Sequence, residues 1–304
     1  MSMGKRKREE QGTLWVASDK LRSPGHAFYE RLNKVFEKDR FDEEVEAECR
    51  RFYAERDGRP STPPGVYFRM LLVGYFEGIA SERAIAWRCE DSLSLRSFLG
   101  LPPGERVPDH SSLSRIRQRF DVSVYKSFQK LVLRMLSEEG LLKGRQLALD
   151  STVIQADAAM KAIVRRDTNQ SYAKYAKSLA KAAGDKPTRA GAARVDRKRK
   201  GRTTSNKDWK SDTDEDARIA RMKDGRTRLA HKPEHAVDLQ SGAIVAATMN
   251  PADQDDRMTM VDTLVQAEEN LNALKQTTAG ATLVADKGYH STDVLAGCVV
   301  AELK

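Results

Sequence analysis

QLALDSTVIQA, residues 146–156, is where the chain changes its period. Up to Leu142 apolar residues recur three and four apart among charges, the spacing of helices that bury one face. From Gln146 they alternate, and strand formers take over. The reading therefore divides the chain into an all-helical block, about 21–145, and a sheet-bearing block, 146–304, an α+β or α/β fold class. The first strand of the second block carries Asp150, with Ser151 and Thr152 behind it.

Downstream, HKPEHAVDL (231–239), the turn Gln240-Ser241-Gly242 and AIVAATM (243–249) predict a hairpin. A helix is expected to open at Asp253 and run to about Lys275, with Val261, Leu264, Val265, Leu271 and Leu274 as its apolar stripe. ATLVAD (281–286) reads as a short strand suited to a sheet interior, and it ends on Asp286 before Lys287-Gly288-Tyr289-His290. If the hairpin lies beside the first strand and the helix crosses over with the usual right hand, the last strand runs parallel to the first. Asp150 and Asp286 then meet. Two carboxylates at neighbouring strand ends can hold hard divalent cations such as Mg²⁺ or Mn²⁺, which prefer oxygen ligands. A pair of such ions can clamp the attacking and leaving oxygens of a phosphoryl transfer. Either aspartate alone reads more readily as a residue that satisfies a turn; the two together carry the metal reading. Asp238, Asp253, Asp255 and Asp256 read as hairpin and loop acids or caps.

Between the first strand and the hairpin, residues 157–230 are strongly charged and poor in large aliphatics. They are expected to form an insertion lying over the core domain, without a core of their own. Within it, 169–184 predicts a helix with Tyr172, Tyr175 and Leu179 on one side. RVDRKRKGR (194–202) is expected to be irregular, and Arg197, Lys198, Arg199 and Lys200 are candidate phosphate contacts.

Upstream, the basic stretch within residues 1–20 is expected to be a disordered tail. VYFRMLLVGYF (66–76) is the most apolar run, but it carries Arg69 and is too short to span a bilayer. Ser81 is positioned to cap ERAIAWRCE, whose Ile85 and Trp87 are expected to be buried. VPDHSSLSRIRQRFD (107–121) then predicts a helix starting near Asp109, with Leu113, Ile116 and Phe120 on one face and Arg115, Arg117 and Arg119 on the others. A short helix, a turn and a helix with a serine-rich start and an arginine-rich face suit a helix-turn-helix. Ser112 and the three arginines are its candidate DNA contacts, although an arginine face is commonly just solvated.

Composition agrees with a polyanionic partner: 53 Lys plus Arg against 44 Asp plus Glu give a formal charge of +9. The three cysteines are far apart, which argues against a disulfide framework or a zinc site and fits a cytoplasmic protein with no membrane partner.

LALDST (147–152), HAVDLQSGAIVA (235–246), ADQDD (252–256) and LVADKGYHS (283–291) together resemble bacterial insertion-sequence transposases of the DDE type. DWKSDTDEDARIARMKDGR (208–226) is similar to a segment found in a subgroup of that family. The helical stretch 59–101, with VPDHSSLSRIRQRF (107–120), resembles the family's N-terminal DNA-binding region. The likeness runs from about Leu14 to about Val294. It implies a ribonuclease-H-like catalytic domain, a two-metal Mg²⁺ (or Mn²⁺) site, and cleavage and strand transfer at the terminal inverted repeats of a mobile element. Asp150 matches the first catalytic and metal-binding carboxylate and Asp286 the second. Lys287 and His290, beside Asp286, are weaker candidates for contacting DNA. A homodimer, or an assembly with full-length transposase, is what the resemblance suggests.

The family's third acid is a glutamate on a later helix. Glu302 is the sole glutamate after Asp286, and the role is not assigned to it. The chain is therefore expected to be a C-terminally truncated, catalytically incomplete transposase. The alternatives are a non-enzymatic DNA-binding product that competes with the full-length enzyme, and a generic nuclease of the same fold.

Overall fold

The computed structural model describes residues 3–4, 25–54, 60–102, 104–198 and 205–304. The basic tail, apart from Met3 and Gly4, lies outside the described residues, as do Arg199 and Lys200. The chain is mixed α/β and divides into two compact units, Met1–Met135 and Leu136–Lys304.

The first unit is helical: α1 (Ala27–Lys38), α2 (Phe41–Cys49), α3 (Pro64–Phe76), α4 (Glu82–Glu90), α5 (Leu93–Leu99), α6 (His110–Arg119) and most of α7 (Val122–Glu138). Helix starts follow local chemistry. Ser81, Ser92 and Asp109 each accept a hydrogen bond from a backbone N–H three residues on, satisfying donors that the first turn leaves free. Pro64 occupies the first position of α3, where a missing N–H costs nothing. The helices close over an aromatic core in which Phe68 stacks on Phe128 and Phe36 on Phe41.

Arg69 is fully buried in this core. Its guanidinium binds both carboxylate oxygens of Asp42, at 3.1 and 3.0 Å, and the carbonyl of Phe98 at 2.9 Å, and it lies against the rings of Phe36, Phe41 and Phe98. One expectation fails nearby. Ile85 is buried, but Trp87 is 67 % exposed. Two residues on a helix lie about 200° apart, so a single packed face cannot take both.

The second unit holds the sheet. Its elements are β1 (Gln146–Ser151), β2 (Ile154–Gln155), β3 (Ile163–Arg165), α8 (Tyr172–Ala182), α9 (Arg189–Lys198), β4 (Trp209–Ser211), β5 (Arg218–Arg221), β6 (Thr227–Asp238), β7 (Ala243–Pro251), α10 (Asp256–Asn272), β8 (Thr282–Ala285) and α11 (Thr292–Val300). β6 pairs antiparallel with β1 and β7, while β2 and β5 pair along its first residues. β8 pairs parallel with β1. This is the arrangement expected from the hairpin and crossover helix. β8, however, pairs only with β1 among the described residues, and its Val284 is 49 % exposed, so it is not an interior strand.

Two further expectations change. The charged insertion has hydrophobic clusters of its own. Trp209 on β4 is buried against Tyr172 and Tyr175 of α8, with ring centroids 5.2 and 5.3 Å apart, and the guanidinium of Arg165 covers Trp209 and Tyr175. The helices α8 and α9 share a seam of Ala176, Ala180 and Ala192. Arg194, Arg197 and Lys198, expected in an irregular stretch, are helical.

Helix α10 also turns a different face inward. Its buried residues are Thr259, Met260, Thr263, Ala267, Asn270 and Leu271, while Val261 and Val265 are exposed. Those valines line an apolar groove with Val294 and Cys298 of α11. No helix among the described residues is long and apolar enough to cross a membrane.

Candidate functional site

β1 and β8 run parallel and in register from Gln146↔Thr282 to Leu149↔Ala285. Asp150 and Asp286 are each the next residue, Asp150 still within β1 and Asp286 just past β8, so the two aspartates are adjacent in the register. Both are exposed. Each keeps one carboxylate oxygen on a nearby backbone N–H. Ser151 N donates to Asp150 Oδ1 at 2.8 Å, and Gly288 N donates to Asp286 Oδ1 at 2.6 Å. Among the described residues, neither carboxylate has a further hydrogen bond or ion pair.

A third carboxylate reaches this corner from the first turn of α10. Asp256 Oδ1 accepts the hydroxyl of Ser151 at 2.8 Å and is ion-paired to the ammonium of Lys232, a buried residue of β6. The Lys232 ammonium also donates to the carbonyl of Gln254 at 3.1 Å. Asp256 read as a loop acid in the sequence. Its role in the corner depends on a strand 105 residues earlier, which local spacing does not reveal. Among the described residues, no group of three or more His, Cys, Asp or Glu side chains is placed to hold a metal ion.

The neighbouring acids behave as the sequence suggests. Asp238 accepts the N–H and hydroxyl of Ser241 in the β6–β7 turn. Asp255 caps α10, and the Arg257 guanidinium beside it holds its carboxyl far below the usual carboxylate range. Asp253 lies 3.9 Å from Arg218. His231 pairs with Asp214 at 2.8 Å.

Below the corner lies Glu234, which sequence reading missed. It is a fully buried carboxylate on β6, and it accepts hydroxyl hydrogen bonds from Thr259, Thr263 and Tyr289. Burial raises the pKa of Tyr289 well above the usual phenol range, and the Glu234 carboxylate that accepts its hydroxyl adds to the rise. The threonine spacing on α10 is the one signal that could have pointed to it. Lys287 and His290, on either side of Tyr289, are exposed.

In the helical unit the proposed DNA contacts are not equivalent. Arg115 is exposed and folds back on its own helix, donating to the Ser111 carbonyl and hydroxyl. Arg117 is exposed and lies 3.2 Å from Glu82. Arg119 is not on a free face: its guanidinium covers the Tyr53 ring at 4.8 Å. Ser112 sits in the capped first turn, its N–H bonded to Asp109. In the insertion, Arg197 and Lys198 are exposed at the end of α9.

Residues 16–119 match the family model described as "Transposase domain (DUF772)", a match that supports a transposase. The regular elements in the described part of the matched stretch are helices, and the sheet lies outside it. No curated protein and no solved structure matches the chain.

Proposed function

We propose that this chain is a transposase of the DDE type, in which the helical unit binds DNA and the sheet-bearing unit, of ribonuclease-H-like class, performs metal-dependent phosphoryl transfer. The observation that carries the reading is the adjacency of Asp150 and Asp286 at the ends of two parallel strands. The strand pattern around them is the one that the order of strand, hairpin, helix and strand predicts. The matched transposase domain and the charge of +9 add independent support.

The donor set suits Mg²⁺ or Mn²⁺. Asp150 and Asp286 offer only oxygen, and both residues are exposed, so DNA can reach the corner. A bound dication would polarise the phosphate and lower the pKa of an attacking water. The protein's own part is to present the two carboxylates at one level and to hold the scissile strand. Lys287 and His290 flank the corner and suit contacts to phosphate. Arg115, Arg117 and Ser112 on α6, and Arg197 and Lys198 on α9, would anchor the duplex, with affinity that falls as salt rises. Joining two element ends calls for two copies acting together in the cytoplasm.

A second reading is a DNA-binding product that competes for element ends without cleaving them. The Lys232 ammonium on Asp256 favours it, because the third carboxylate at the corner is already neutralised.

One experiment separates the two. The chain is incubated with supercoiled plasmid and Mn²⁺, alongside Asp150→Asn and Asp286→Asn. Nicking by the wild type that both substitutions abolish, with gel-shift binding retained, supports the transposase reading. Binding without nicking by the wild type supports the competitor. Nicking that survives both substitutions overturns the assignment of the two aspartates.

A further inference from the structure

Helix α10 has an apolar stripe, yet it packs its threonines on the sheet. Val261 and Val265 face out, while Thr259 and Thr263 face Glu234 on β6. Burying a carboxylate is expensive, and an apolar contact here would be the more stable choice. Among the described residues the partners of Glu234 are hydroxyls and not cations. Thr259 and Tyr289 donate to Oε1 at 2.8 and 2.9 Å, and Thr263 donates to Oε2 at 2.5 Å.

The donors also have a direction. Each hydroxyl has one proton to give. Asn250 Nδ2 donates to Thr248 Oγ1, which lies 2.6 Å from Thr263 Oγ1. With Thr263 giving its proton to Glu234, the run of donors from β7 through α10 ends on this carboxylate.

What these bonds tie together is the corner. Tyr289 belongs to the turn that follows Asp286 and is buried, and its phenol donates to Glu234. Ser151 is the cross-strand partner of Glu234 in the β1–β6 register. Thr259 is one turn beyond Asp256 on α10. Glu234 thus reaches the segments carrying Asp150, Asp256 and Asp286, and it is too deeply buried to be a ligand itself.

We propose that Glu234 is a positioning residue that fixes the Asp150–Asp286 pair for a divalent cation, acting through the phenol of Tyr289. The inference rests on the reading that these aspartates hold such an ion. Hydrogen-bond partners behind metal ligands typically alter metal affinity by about 10- to 100-fold when removed.

The test is Mn²⁺ binding to the full chain without DNA, read from the electron paramagnetic resonance signal of free Mn²⁺, with a thermal melt of every variant. Asp150→Asn and Asp286→Asn test the underlying reading and should each abolish the site. Tyr289→Phe, which keeps the ring, should weaken Mn²⁺ on the order of tenfold while melting cooperatively. Glu234→Leu should weaken it at least as much, and Glu234→Gln, which retains an oxygen acceptor, should restore most of the affinity. Adding Tyr289→Phe to Glu234→Leu should cost little more, because both break one connection.

Wild-type affinity in both Tyr289→Phe and Glu234→Leu, with binding lost in Asp286→Asn, would overturn the role of Glu234 and leave the aspartate reading intact. Fully additive losses would overturn the route through Tyr289. Wild-type affinity in both aspartate variants would overturn the reading and this inference with it. If Glu234→Leu does not melt cooperatively, Tyr289→Phe and Glu234→Gln decide: loss in the first and retention in the second support the proposal, and any other pattern overturns it.

Discussion

The backbone N–H of Gly288 donates to Asp286 Oδ1 at 2.6 Å, and a β-carbon on Gly288 would stand 2.8 Å from that same oxygen. It would also stand 3.1 Å from Asp256 Oδ2. The turn therefore brings two carboxylates over a residue that has no side chain. Gly288→Ala should leave the fold standing, with a change within about 1 kcal/mol, because carboxylate ends can swing aside. The swing should displace Asp286, so the rise in melting temperature on adding Mn²⁺ should shrink or vanish. An undiminished Mn²⁺ shift would show that the close approach is unimportant.

Asp109 caps α6 through the N–H of Ser112 at 2.8 Å. That bond, followed by the hydroxyl of Ser111, holds its carboxyl below the ordinary value. A depressed carboxylate pKa adds stability that is complete above the unfolded value, near 4, and is lost as pH falls through the folded value. Asp109→Ala should cost about 1 kcal/mol at neutral pH. The gap between the variant and the wild type in urea denaturation should narrow below about pH 4. A gap that stays constant down to acid pH would contradict the cap.

Arg69 is held by Asp42, the Phe98 carbonyl and three aromatic rings. Lysine keeps the charge but lacks the planar fork that these partners require. Arg69→Lys should destabilise the helical unit by about 3 kcal/mol, the scale for breaking a buried pair. Equilibrium unfolding of this variant would measure it, and a loss below about 1 kcal/mol would rank the network with ordinary surface pairs.

Trp209 anchors α8 through Tyr172 and Tyr175. Trp209→Ala should cost about 3–5 kcal/mol. Limited proteolysis should cut earliest within residues 166–198, where the aromatic support has gone. A digestion pattern unchanged from wild type would place the anchor elsewhere.

The face of α8 and α9 carries exposed Lys177, Arg197 and Lys198. If each meets a phosphate, replacing all three by Ala should lower the slope of log affinity against log salt by about 0.9 per contact on duplex DNA. An unchanged slope would remove this face from the DNA interface.

The strand–hairpin–helix–strand order, and with it the pairing of Asp150 with Asp286, was legible because each element has a local signature. QLALDS alternates, Gln240-Ser241-Gly242 marks a turn, and TLVA is a short apolar run. What was not legible depends on partners far along the chain. Val261, Leu264 and Val265 look like a packing face, but Glu234 and Thr248 on neighbouring strands recruit the threonine side instead. Trp87 looks like a core residue, and only the packing of Ile85 next to it decides otherwise. Asp256 looks like a cap until Ser151 and Lys232 are folded against it.

Strand β6 makes one continuous splint of twelve residues. Its first four residues pair with β5, the last strand of the charged insertion, and its last five pair with β1. The insertion is thus not a bead on a string that evolution or an engineer could unclip at its ends. Excision has to stop before Thr227, and a single residue added or lost in β6 would turn Lys232 and Glu234 to the opposite side of the sheet. The segment can vary in its helices and loops, but its last strand is stitched to the strand that seats the acidic corner.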